Sequence, residues 1–173
     1  MGTETTIQRD YAAARLQLPP GTAITVLHIG EAATVLAVGR DAVPSAVLSL
    51  AIGSQKTADA FFKHTPPTPG EIENAIMVVE DEVTRARHLV AGHTTLFSKD
   101  AALPAMAAMV GINAAHGRSM SVESVEGLFD LLAAWSQGRP AASAGIPDTP
   151  SFAATLLILR EFMHHLGMTE IRW

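Results

Sequence analysis

Three short apolar runs, ITVLHIG from Ile24, ATVLAVG from Ala33 and SAVLSLAI from Ser45, follow one another with only Glu31-Ala32 and the stretch from Arg40 to Pro44 between them. Their β-branched and aliphatic content suits strands. Connections this short join only antiparallel neighbours, because a parallel crossover needs roughly a dozen residues or more. The runs are apolar at odd and even positions alike, so both faces of the resulting sheet need cover. Helices have to supply it.

The rest of the chain offers those helices. TTIQRDYAAARLQL sets Ile7, Tyr11, Ala14 and Leu16 near one side and is closed by Pro19-Pro20-Gly21, which predicts a short amphipathic helix. Ser54 is placed to cap a second over QKTADAFF. The clearest pattern runs from Pro69 to Val90: Ile72, Ala75, Ile76, Val79, Val83, Ala86 and Val90 form one stripe, and Glu73, Glu80, Glu82, Arg85 and Arg87 mostly surround the other. Gly92 stops it, TTLFS reads as a strand, and Asp100 is placed to cap an Ala-rich helix over DAALPAMAAMVG. HGRSMS is a connection or short extended piece, after which Ser121 opens a helix carrying Val125, Leu128, Phe129 and Leu132. SQGRPAASAGIPDTP is a loop. Pro150 starts a last helix that is apolar on nearly all sides, and MTEIRW is a terminal strand. The sum is an α/β layer architecture with a mixed sheet, three antiparallel strands first and helices on both faces. Residues 1–22 read as an N-terminal helix and linker, and residues 23–173 as a single lobe.

At 173 residues the chain is one domain, able to bury roughly 70% of its unfolded surface. Twelve Lys and Arg against seventeen Asp and Glu, with no basic run, argue against nucleic acid as a ligand. The chain has no Cys, which removes disulfides, thiolate metal sites and a thiol nucleophile, and fits a reducing cytoplasm. The first apolar run is too short for a signal peptide or membrane span.

Chemistry-bearing motifs are sparse. There is no Walker loop, dinucleotide glycine fingerprint, His-Glu-x-x-His pair or nucleophile elbow. His28 to Gly30 lies where the first strand turns into the second, a place where backbone amides can cradle a phosphate. Glu31 follows at once and would repel it, and Ala32 and Ala33 bring no hydroxyl, so an ordinary hairpin is the simpler reading. His88 with His93, and His164 with His165, lack a third ligand at a recognisable spacing, so no metal is expected. Glu80, Asp81, Glu82, Arg85 and Arg87 read as a solvated helix face with internal ion pairs. Trp135, Trp173, Met106, Met109 and Met163 read as core or interface, with LPAMAAMVG as a candidate self-association face.

From about Thr25 onward the order of segments resembles one family, the exopolyphosphatase and guanosine pentaphosphate phosphohydrolase (Ppx/GppA) group of the actin-like ATPase superfamily. The likeness is to the second lobe of its two-lobed domain, a ribonuclease H-like fold. It rests on VLHIGEAATVLAVGRDAVPSAVLSLAIGSQKTADAFFKHTPPTPGEIE, on HGRSMSVESVEGL and on FAATLLILREFMHHLGMTEIRW. The resemblance implies hydrolysis of phosphoric anhydrides in a cleft between two lobes. Family members carry Asp-x-Gly-Gly-Gly-Ser-x-Glu on the first hairpin. This chain has His28, Gly30, Glu31, Ala32, Ala33 and Val35 there, leaving His28, Gly30, Glu31 and Thr34 as a candidate phosphate-loop remnant. The family's second glycine loop corresponds to SKDAALPAM, which has no glycine, and before the last helix stand Asp148 and Pro150. The expectation is a non-catalytic, cytoplasmic lobe working as an interaction or regulatory module. It would bind a second copy or another protein and no cofactor, nucleic acid or membrane. The alternative is residual hydrolysis of polyphosphate or guanosine pentaphosphate, or nucleotide binding, with magnesium and a separate first lobe.

Overall fold

The computed structural model describes residues 3–90, 92–113, 117–140 and 145–173. The first helix, α1 (Thr3–Arg15), precedes three strands, β1 (Ile24–Ile29), β2 (Thr34–Gly39) and β3 (Ala46–Leu50). Next come α2 (Ser54–Phe61), α3 (Pro69–Thr84), β4 (Thr95–Ser98) and α4 (Ala102–Met109), then β5 (Ser119–Ser121), α5 (Val122–Ser136), α6 (Pro150–His165) and β6 (Glu170–Arg172). The six strands form one sheet in the order β3-β2-β1-β4-β6-β5. β1, β4 and β6 run parallel, while β2 and β5 are antiparallel to their neighbours. The mixed α/β architecture with three antiparallel strands first is the one the sequence predicts.

The doubly apolar strands are explained by cover on both faces. Leu27, Leu36, Val38, Leu50, Leu96 and Ile171 point into the main core, where they meet α2, α3, α5 and α6. Ile24, Val26, Val35, Ala37 and Phe97 point the other way, against Ile7, Tyr11 and Ala14 of α1. Register aligns Leu27 with Leu36 and Leu36 with Leu48 across the hairpins. A one-residue slip would move each set to the wrong layer. The axis of the main layer is α6, in which Leu156, Leu157, Ile158 and Phe162 have no exposed surface. Each such side chain contributes about 2 kcal/mol by leaving water. Among the described residues no helix is long and apolar enough to cross a membrane.

Local chemistry shifts several boundaries. α3 ends at Thr84, earlier than the stripe to Val90 suggests, because the chain tightens into successive turns, with Ala86 N bonded to Val83 O and Arg87 N to Thr84 O. The caps of α2 and α4 also differ from expectation: Gly53 and Ala101 hold those positions, neither with a side-chain cap. Ser54 Oγ instead donates to Gly30 O, and the Asp100 carboxylate meets His28 and Ile29 N. Ser121 and Thr149 do cap α5 and α6, accepting from Ser124 N and Phe152 N. His116 of the HGRSMS segment and residues 141–144 of the long loop lie outside the described residues.

The entry to α3 is fastened by one carboxylate. Glu71 accepts from Thr68 N at 2.8 Å, Lys63 N at 2.9 Å and His64 Nδ1 at 2.9 Å, while its own N–H donates to Thr68 Oγ1. Burial pushes this carboxyl up, but the hydrogen bonds from His64, Thr68 and Lys63 outweigh it and bring it down to about 2. Glu71→Ala is expected to cost about 1–2 kcal/mol at neutral pH in urea unfolding. A depressed carboxyl stabilises above its unfolded value of 4.5, and that contribution fades as pH falls through about 2. The variant and the parent should therefore converge in acid; a gap that stays constant down to pH ~2 would contradict this origin.

Candidate functional site

Parallel strands β1 and β4 end side by side, with Ile24 opposite Thr95 and Leu27 opposite Ser98. The crevice outside such carboxyl ends is where ligands of open α/β sheets bind. Here it is filled by a side-chain pair. Asp100, just past β4, accepts from Ile29 N through Oδ2 at 2.7 Å and meets His28 Nδ1 through Oδ1 at 2.5 Å. Its own N–H donates to Ser98 Oγ at 3.1 Å. The carboxylate therefore locks the end of one strand to the next and fixes the imidazole with Nδ1 towards Asp100, leaving Nε2 for the outside. The hydrogen bond to Asp100 holds the His28 pKa above 6.5 against the opposing effect of burial, helped by the charges of Asp100 and Asp10. Asp10 comes from α1, which is why the sheet face under that helix feels it.

The hairpin turn beyond His28 is closed. Gly30 N donates to Ala33 O at 3.0 Å. The three leading amides of α2 donate into the same turn: Ser54 N to Gly30 O at 2.9 Å, and Gln55 N and Lys56 N to Glu31 O at 3.0 Å each. Helix N-terminal amides are the groups that hold an anion in a phosphate-binding fold. In this chain carbonyl oxygens already occupy them. The contact is close enough that a Cβ on Gly53 would lie 2.5 Å from Glu31 O and from the carbonyl carbon of Ala32.

The four candidate residues thus separate. His28 and Gly30 stay together, a Cβ on Gly30 being 3.4 Å from His28 Nε2. The Glu31 side chain is exposed on the outer rim while its carbonyl serves α2. Thr34 shares the side of Leu36 and Val38, and its buried hydroxyl has no hydrogen-bond partner among the described residues. The residue that sequence reasoning misread is Asp100, taken for a helix cap. It lies 72 positions from His28, and only the adjacency of β1 and β4 reveals the pairing.

His164 and His165 enter a different cluster. His165 Nε2 is 3.0 Å from Glu161 Oε2 and 3.7 Å from Glu80 Oε1, and His164 Nδ1 is 3.5 Å from Glu126 Oε1. Arg160 completes it, pairing with Glu126 and with the fully buried Glu161 at 2.5 Å, its guanidinium 5.0 Å from the centre of the Phe129 ring. Burial pulls the Arg160 pKa down, but the hydrogen bonds and charges of Glu161 and Glu126 raise it overall, at the junction of α3, α5 and α6. Glu80 and Glu82 are not merely solvated, since Glu82 also accepts from Ala51 N at 2.8 Å and ties α3 to the end of β3. Among the described residues no three His, Asp or Glu side chains gather as a metal-binding group. Met106 and Met163 are buried and Trp135 nearly so, which places them in the core.

Set against known proteins, the sequence matches no family model and no curated protein. The structure does find neighbours. It is similar to the Ppx/GppA family member of Aquifex aeolicus, with a TM-score of 0.80 at 19% identity over 99% of this chain and 58% of that one. An exopolyphosphatase from Cytophaga hutchinsonii gives 0.69 at 15% identity, over 93% of this chain and 56% of that one. An exopolyphosphatase-like protein gives 0.68 at 14%, over 92% and 57%. The chain spans somewhat more than half the length of these neighbours and has the fold of a single lobe of the Ppx/GppA type, as the sequence resemblance implies.

Proposed function

We propose that this chain is a non-catalytic lobe of the Ppx/GppA type that works as an interaction module and self-associates. The observation that carries the reading is the occupation of the α2 amides by the Gly30 and Glu31 carbonyls. Phosphoryl transfer depends on donors and cations preorganised around phosphate oxygens. At this hairpin the donors already have acceptors and Glu31 adds a negative charge.

The self-association reading rests on the β3 edge of the sheet. β3 is the outermost strand, AVLSL, without a charge or a proline of the kind that blunts exposed edges. Val47 within the strand is 37% exposed and Val43, just before it, 71%. Antiparallel pairing of two β3 strands about a two-fold axis would continue the sheet across both copies. Light scattering on the purified protein at tens of micromolar is expected to give a dimer, and Val47→Lys a monomer; a monomeric parent chain sinks the self-association. The non-catalytic reading has its own test. Polyphosphate, ATP or guanosine pentaphosphate with magnesium should leave the melting temperature unchanged, whereas a dose-dependent rise would restore phosphate binding.

A further inference from the structure

The sheet face beneath α1 is only partly covered by that helix. Phe97 on this face packs under α1. The row continues sideways, because Phe97 stands opposite Arg172 and Arg172 opposite Ser119. Lys99 lies two residues beyond Phe97, on the same side of the chain. Lys99, Ser119, Glu170 and Arg172 floor an open groove of about 580 Å³ whose walls are Gln17, Arg118 and Trp173. That volume falls in the range of small-molecule sites, roughly 300–1,000 Å³.

Its charges are unevenly matched. Arg172 is held by Glu170 at 2.5 Å. Lys99 and Arg118 have no ion pair and no side-chain hydrogen bond among the described residues. Three of the chain's twelve Lys and Arg thus line one groove of a molecule whose net charge is -5. The Trp173 backbone is fixed beside them, its main-chain N–H donating to Arg118 O at 3.1 Å, and the residue is only half-buried. An unpaired guanidinium and ammonium next to an aromatic face suit a ligand with separated acid and apolar parts.

We propose that this groove binds a small organic dianion, its two negative charges answered by Lys99 and Arg118 and its apolar body lying on Trp173. The groove shares no lining residue with the His28–Asp100 pair, and the proposal is independent of whether the protein dimerises. The probes are phthalate and phenyl phosphate, which place a double negative charge on a ring as carboxylates or as a phosphate, with benzoate and inorganic phosphate beside them. Titration followed by the indole N–H resonances should move Trp173 and leave the buried Trp135 in place. Benzoate, meeting one cation, and inorganic phosphate, lacking the ring, should each bind about tenfold more weakly than the better aromatic dianion, as loss of one such contact implies. Arg118→Ala and Lys99→Ala should each weaken that dianion by about tenfold, and raised salt should weaken it further. Both positions are exposed, and circular dichroism would verify folding of the variants. Saturable binding of either aromatic dianion with these losses supports the site, and which one binds assigns the acid group. No saturable shift of Trp173, equal affinity for benzoate, or full retention in Arg118→Ala would overturn it.

Discussion

Gly53→Ala is expected to lower stability by about 3 kcal/mol and to detach the first hairpin from α2. The added Cβ would stand 2.5 Å from Glu31 O, 2.5 Å from the Ala32 carbonyl carbon and 2.6 Å from Ala33 N. All three are backbone atoms, so no side chain can swing aside. Relief requires moving the turn, which breaks the bonds from Ser54, Gln55 and Lys56 to the Gly30 and Glu31 carbonyls. Gly70→Ala is the control, since a Cβ there meets nothing within 4 Å. It sits in the first turn of α3, where alanine is at least as good as glycine. Chemical denaturation reports the energies, and hydrogen exchange at Ser54, Gln55 and Lys56 reports the contact. If Gly53→Ala matches its parent in both, the hairpin is not closed as described, and the case against an anion site falls with it.

Asp100→Ala is expected to cost about 2–3 kcal/mol, because it strips a carboxylate partner from both Ile29 N and His28 Nδ1. Its second effect is on pH dependence. The raised folded pKa of His28 means that its contribution is fully present below the unfolded value of 6.5 and is lost as pH rises through the folded value. The parent protein should therefore lose stability on going from mildly acidic to alkaline pH at this site. Asp100→Ala and His28→Asn should each flatten that slope. Unfolding free energies measured across this range decide the matter: an unchanged slope in both variants would mean that His28 is not coupled to Asp100 in solution.

Much of the fold was legible because it is local. Tight spacing forced β1, β2 and β3 into antiparallel neighbours, the stripe from Ile72 to Val83 made α3, and Pro69 marked its start. The candidate site was legible only at its glycine. Gly30 was recognisable as a turn residue, but the fates of its neighbours depend on partners far away in sequence. Glu31 is exposed while its carbonyl caps α2, and Thr34 turns inward because strand alternation puts it with Leu36. Ser54 looked like a cap, yet the position belongs to Gly53, where only the absence of a Cβ lets helix and turn meet.

By itself, the sequence determined the element types, the layered α/β class and the lack of a glycine-rich second loop, since these follow from periodicity, turn chemistry and residue identity within a few positions. Tertiary structure alone decided which groups face one another. It set β4 between β1 and β6, brought Asp100 to His28, closed the hairpin on the α2 amides, and left Lys99 and Arg118 together beside Trp173. The reason is that strand order in a mixed sheet is fixed by burial of both faces at once. That is a property of the whole packed core, and no short segment of the chain carries it.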